Sequence, residues 1–232
     1  MPVLPGVRSL LDLILPAECG GCGMPGTQWC VRCAAELADD PVLLRPRVDP
    51  GVDVWALGPY SGPRRRAVIA AKERGRRDLA VPLGAALAGA VGRLQQWGEL
   101  DPPDVAPVVL VPAPTRPRAA RARGGDPVTR IAVAAVGARR VCPALVMRRG
   151  VRDSVGLSAD QRRVNLEGGV RLTRSGAGFA RHISSEITAL QRVSVLLVDD
   201  VSTTGATAAE SVRVLSRVGI RVGAVVVVAG VG

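Results

Sequence analysis

The chain has 232 residues, a formal net charge of +11, 47% hydrophobic residues and 2% aromatic ones. That length holds one full domain plus a small module, and the apolar share can fill a core packed on aliphatic side chains. No segment approaches transmembrane length without a charge, and the scarcity of aromatics argues against base stacking as a way of holding single-stranded nucleic acid. Nearly all the positive charge is arginine, which binds phosphate through a bidentate fork. The excess reads either as recognition of phosphorylated substrates or nucleic acid, or as the codon bias of a GC-rich genome.

Residues 1–15 end in SLLDLIL, a run too short to span a bilayer and interrupted by Asp12. Cys19 stands where a cleavage site of small residues would be needed. This opening predicts an amphipathic helix packed on the cysteine module or the main domain, in a cytoplasmic protein.

Cys19-Gly-Gly-Cys22 and Cys30-Val-Arg-Cys33 are two CxxC knuckles separated by seven residues. Thiolates from Cys19, Cys22, Cys30 and Cys33 at this spacing can converge tetrahedrally on a structural zinc ion, and a closed set of four leaves no position for catalysis. Disulfides are rare in the cytosol, and a redox CxxC normally comes singly. Residues 1–45 are therefore expected to form an N-terminal helix and zinc-ribbon module. Asp40 to Gly51, rich in Pro and Arg, reads as a linker, and residues 52–232 as the main domain.

Within that domain, Val54–Leu57 reads as a strand, and Arg64–Glu73 and Leu79–Trp97 as helices. Val108–Val111 is a short apolar strand, Val128–Val136 a helix and Leu145–Arg148 a strand. Arg152–Arg174 is polar and contains glycine, which marks a candidate mobile loop. Val193–Val198 and Val225–Val228 are the last strands, joined by a helix over Ala208–Val218. Strands alternating with helices predict an α/β fold with a Rossmann-type parallel sheet flanked by helices. Cys142 reads as a small buried residue, and His182, the only histidine, as a surface residue.

The most informative stretch is Val193–Ala208, VSVLLVDDVSTTGATA. An apolar strand ends in Asp199 and Asp200, where open α/β sheets place their ligands. Ser202, Thr203, Thr204, Gly205, Ala206 and Thr207 then lead into a helix, whose N-terminus binds anions through free N–H groups and the helix dipole. The hydroxyls add donors, and the aspartates can accept hydrogen bonds from vicinal sugar hydroxyls. The order therefore suits a sugar that carries a phosphate. A Walker B strand would need a GxxxxGK[ST] partner, and Lys72, the only lysine, sits in AAKERG. A receiver domain would need more strands after the acidic pair than the remaining residues supply. Simple helix capping needs one polar residue, not the seven Asp, Ser, Thr and Gly found in nine positions.

A third feature lies beyond Val111. Arg116, Arg118, Arg121 and Arg123 lie in PTRPRAARARGGDP, after a strand end as the acidic pair does. Such guanidiniums can bind a pyrophosphate, line a solvated loop, or form a nucleic-acid patch.

VLLVDDVSTTGAT resembles the thirteen-residue phosphoribosyl-pyrophosphate signature of type I phosphoribosyltransferases. The resemblance implies that Asp199 and Asp200 bind the ribose hydroxyls and that Thr203 to Thr207 cradle the 5-phosphate. A paired CxxC module ahead of this signature is similar to the ComF family of competence-associated proteins, across the whole chain. LLDLILPAEC matches that family's opening, VPAP followed by ARARGGDP its middle motif at Arg121 and Arg123, and SVGLSADQRRVN its later motif at Arg162, Arg163 and Asn165. Ser154 replaces a glutamine of that pattern, and Gly125-Asp126-Pro127 replaces its FNQ portion, which puts the family's acceptor choice in doubt here. The resemblance implies a type I phosphoribosyltransferase-like fold and transfer of phosphoribosyl from phosphoribosyl pyrophosphate, with magnesium, to an acceptor. Arg116, Arg118, Arg121 or Arg123 would neutralise the leaving pyrophosphate, and Arg162 would help bind the substrate. It equally implies a non-catalytic adaptor in DNA uptake, binding single-stranded DNA or a competence helicase. Hydrolysis of a ribose phosphate is a third reading.

Overall fold

Three apolar runs, around Val109, Val195 and Val225, are too hydrophobic to face water on either side, and they become the middle of one sheet. The computed structural model describes residues 17–115, 120–121, 124–148, 168–186 and 193–231. The expected helix in residues 1–15 lies outside them. The described elements are α1 (Val31–Leu37), β1 (Val42–Leu44), β2 (Val54–Ala56), α2 (Gly62–Glu73), α3 (Ala80–Gln96), β3 (Val108–Pro112), α4 (Pro127–Val136), β4 (Leu145–Met147), β5 (Val170–Leu172), α5 (Arg174–Glu186), β6 (Ser194–Ser202), α6 (Ala206–Ser216) and β7 (Val222–Gly230).

The main sheet has the order β1-β2-β7-β6-β3. The pairs β2–β7, β7–β6 and β6–β3 are parallel, and β1 pairs antiparallel with β2 at the edge. Side chains alternate along β6. Leu196 and Val198 join a core with Leu83, Leu87 and Ile131 of α3 and α4. Val195 and Leu197 join a second core with Val212 and Leu215 of α6. Both faces are covered, which is why these strands lack polar alternation. The result is a mixed α/β chain whose mostly parallel central sheet is flanked by helices.

Three local expectations change. Val42–Leu44 reads as part of a linker, yet it is a sheet strand, because its backbone groups complete the edge of β2. β5, and the start of α5 at Arg174, fall inside or beside the span read as a mobile loop; residues 152–167 of that span lie outside the described residues. β6 continues through the acidic pair to Ser202 and is not finished at Val198.

Residues 17–40 carry the cysteines and pack on α2 and α3. The buried Arg64 donates from Nε to the Leu57 carbonyl at 3.0 Å, and from Nη2 to the Glu36 carbonyl and, at 2.8 Å, to Asp39 Oδ2. Arg66 reaches the Cys22 carbonyl at 3.3 Å, and Arg76 the Glu18 carbonyl at 3.0 Å.

Candidate functional site

The acidic pair owes its setting to β6 outrunning β3. β3 pairs with β6 as far as Pro112, opposite Val198, and its last hydrogen bond to β6 runs from the Ala113 amide to the Val198 carbonyl at 2.7 Å. On the other side β7 stays in register, with Asp199 opposite Val227 and Ser202 opposite Gly230. The last residues of β6 are therefore fixed by β7 and open towards β3.

Alternation sends the two carboxylates to opposite faces. Asp199 continues the Val195–Leu197 face and lines a cleft with Ser202, Thr203, Thr204, Gly205 and Thr207, over Val225 and Val227. Asp200 continues the other face, towards α2, and is buried. There the Lys72 ammonium lies 2.9 Å from Asp200 Oδ2 and 3.2 Å from Oδ1. The Asp200 amide donates to Asp199 Oδ1 at 2.7 Å. Burial first, and the Asp200 charge second, push the Asp199 carboxyl up to about 8, so it holds a proton at neutral pH.

The turn after Ser202 is made by Gly205, whose φ of +83° is left-handed. It caps α6, which starts two residues earlier than its apolar periodicity predicts. Among the described residues, the amides of Gly205, Thr207 and Ala208 donate to no backbone or side-chain acceptor. They are helix N-terminal donors of the kind that can hold an anion. A strap between β1 and β2 holds this loop from behind: the Val48 amide donates to the Thr204 carbonyl at 2.8 Å.

β3 and β6 are parallel neighbours, so the arginine segment after β3 leaves the sheet at the same edge as the acidic pair. Of that segment Arg121 is described and exposed. Arg116, Arg118 and Arg123 lie outside the described residues, as do Arg162, Arg163 and Asn165. Asp126 has a structural duty. It caps α4 by accepting from the Thr129 amide at 2.9 Å, and it also accepts from the Thr115 hydroxyl at 2.7 Å. Asp-Pro-x-Thr is a legible helix start, so the residues that depart from the ComF pattern here build the entry to a helix.

The second site is the cysteine quartet. Sulfurs of Cys19, Cys22, Cys30 and Cys33 all lie within 4.8 Å of one another, with Cys22 and Cys30 3.6 Å apart. Tetrahedral zinc with Zn–S bonds of about 2.3 Å requires sulfurs roughly 3.8 Å apart, so the quartet fits. None of the four is in a disulfide. A Cβ on Gly21 would come within 2.7 Å of Cys33 Sγ, so only glycine lets the first knuckle close on the second. Burial raises Cys19, but the amides of Cys22, Cys30 and Gly21 outweigh it and bring the thiol down to about 6. Burial pushes Cys33 up, and the neighbouring thiols add to that. Cys142 is half-buried and its thiol is also raised by burial.

No family model and no curated protein matches this chain. Among the described residues no helix is long and apolar enough to cross a membrane.

Sequence reading missed Lys72 as a site residue. Its partner lies 128 positions away, and the only local signal is that a lysine appears where every other basic side chain except His182 is arginine.

Proposed function

We propose that this chain is a type I phosphoribosyltransferase-like protein of the ComF kind, which binds phosphoribosyl pyrophosphate with magnesium at the end of β6 and transfers phosphoribosyl to a nucleophilic acceptor. The observation that carries this reading is the junction of two functions at one strand end. An acidic pair set into the fold runs directly into a left-handed glycine and a helix N-terminus with undirected amides.

The amides and hydroxyls of Thr203 to Thr207 hold the 5-phosphate as a handle, which positions the sugar. Asp199 and Asp200 hold the ribose hydroxyls, and the ionised carboxylate stabilises positive charge building on the ring. The acceptor forms its bond to the anomeric carbon as the bond to pyrophosphate breaks, and pyrophosphate leaves with the electron pair. Arg121, with Arg116 and Arg123 of the same segment, neutralises that leaving group. Magnesium, carried in with the ligand, lowers the charge on the pyrophosphate oxygens when bound. Zinc held by the four cysteines is structural.

Calorimetry of phosphoribosyl pyrophosphate with magnesium, on wild type and on an Asp199→Asn/Asp200→Asn variant, tests the reading. Binding is expected in the wild type and lost in the variant. Failure of the wild type to bind would transfer support to an adaptor role in DNA uptake, which the exposed Arg65, Arg74 and Arg77 favour. DNA binding would then weaken steeply with salt, as each neutralised phosphate releases counterions.

A further inference from the structure

Lys72 closes α2 with its ammonium on Asp200, whose side chain is 11% exposed against 42% for the lysine. The carboxylate is therefore held inside the fold, and the cation bridges it to the surface. We propose that Lys72 is the charge-matching and positioning residue of the acidic pair, and that it makes the end of β6 acceptable to a sugar bearing several phosphate charges. The inference rests on the sugar-phosphate reading of the site and adds the residue that fits the site to an anion.

The need for such a residue comes from the charges. A phosphorylated sugar pyrophosphate is strongly negative, and the loop Ser202–Thr207 contains no cation. A lone carboxylate in this partly desolvated place would repel that ligand over several ångströms, since Coulomb forces are weakly screened there. Asp199 adds little negative charge at neutral pH, because burial keeps its proton in place. Asp200 is then the negative charge to be offset, and Lys72 sits on it. The fold fixes the lysine for this. Near its start, α2 is anchored through buried Arg64 to Leu57, Glu36 and Asp39, and Lys72 lies near its far end. A lysine suits the place better than arginine: its ammonium is a compact charge with three donors that can turn, so it can keep Asp200 and still meet a ligand oxygen.

The same feature supplies the probe. Lys72 carries the only side-chain amine of the chain, so reductive methylation with isotope-labelled formaldehyde places one side-chain signal at the site and preserves the charge. Calorimetry with phosphoribosyl pyrophosphate and magnesium would be run on wild type, Lys72→Met and Lys72→Arg. Lys72→Met is expected to weaken binding by about tenfold or more, and the loss should shrink as salt is raised. Lys72→Arg, which keeps the charge, should recover most of the affinity. The methylated lysine of the wild-type chain should shift its resonance as ligand is added, a result that does not depend on any variant folding. Equal affinity of wild type and Lys72→Met, or a resonance unmoved at saturating ligand, would overturn the inference and leave the sugar-phosphate site standing. A wild type that binds no ligand would remove both.

Discussion

Asp199 and Asp200 are neighbours in sequence and opposites in environment, because consecutive side chains of a strand leave on opposite faces. One faces the Thr/Gly loop and carries a proton; the other faces α2 and meets a lysine. The Asp199 carboxyl, at about 8 in the fold against 3.8 ordinarily, sets a pH dependence. Between those values the folded chain holds a proton that the unfolded chain has released. Stability must therefore fall as pH rises through this window, and the contribution levels off above it. Asp199→Asn abolishes the difference. Denaturant titrations from mildly acidic to mildly alkaline pH should show the variant gaining on the wild type, with a slope approaching about 1.4 kcal/mol per pH unit. A gap between the two proteins that stays constant with pH would mean that Asp199 ionises freely.

At the scale of elements, the loop before α6 is shaped as much by the strap behind it as by its own residues. A Cβ on Gly205 would stand 2.3 Å from the Val48 carbonyl oxygen and 2.7 Å from the Pro46 Cβ, on a residue already left-handed. Gly51 in the same strap is also left-handed, at φ +76°, but a Cβ there meets nothing within 4 Å. Gly51→Ala should then cost about 1 kcal/mol of stability, from backbone strain alone. Gly205→Ala should cost at least about 2 kcal/mol more, as strain is joined by collision with backbone. Equal costs in urea unfolding would show that the strap does not confine the loop. None of this coupling is visible in the sequence, where Pro46 and Val48 sit in a stretch that reads as a linker. Legibility there tracks burial. β3, β6 and β7 are covered on both faces and so appear as unbroken apolar runs, and α3 carries its Leu and Ala at helical spacing. The Thr/Gly loop and the cysteines are legible because their chemistry is local. β1 lies in a Pro- and Arg-rich stretch and β5 carries Arg171 at its centre, so neither stands out as an apolar run. α5 hides because Gly176, Gly178, Ser184 and Ser185 weaken its helical signature. Lys72 pairs across the fold, and no pattern in a single chain announces a contact of that kind.

Over the whole molecule, α2 ties the cysteine quartet to the acidic pair. Its early residues hold the module: Arg64 takes the Glu36 carbonyl and Asp39, and Arg66 takes the Cys22 carbonyl. Pro63 packs beside Gly21 of the first knuckle. Its last turn carries Lys72 to Asp200. Beyond it, Arg76 reaches the Glu18 and Gln28 carbonyls, and Arg93 of α3 pairs with Asp40 at 2.7 Å. These arginines bind backbone oxygens of a module whose own core is very small, Cys19, Cys30 and Cys33 with Trp29 against them, while its Leu37 packs into the core of the main sheet. Metal must supply most of the order of such a unit, as binding energy becomes folding energy in small thiolate sites. Cys30→Ser or a chelator should therefore release zinc and unfold residues 17–40, and the arginines should lose their acceptors together. Losing the two module acceptors of Arg64, the Glu36 carbonyl and Asp39, would remove roughly 2 kcal/mol, which lowers the melting midpoint by about 4–8 °C in a chain of this size. Because α2 would then be held at one end only, the proposed binding of phosphoribosyl pyrophosphate should weaken along with the metal content, although no cysteine lines the cleft. Calorimetric melting and ligand titration on metal-loaded and chelated protein check both parts. Metal loss that leaves the melting midpoint unchanged would show that the module is folded by its arginine anchors alone.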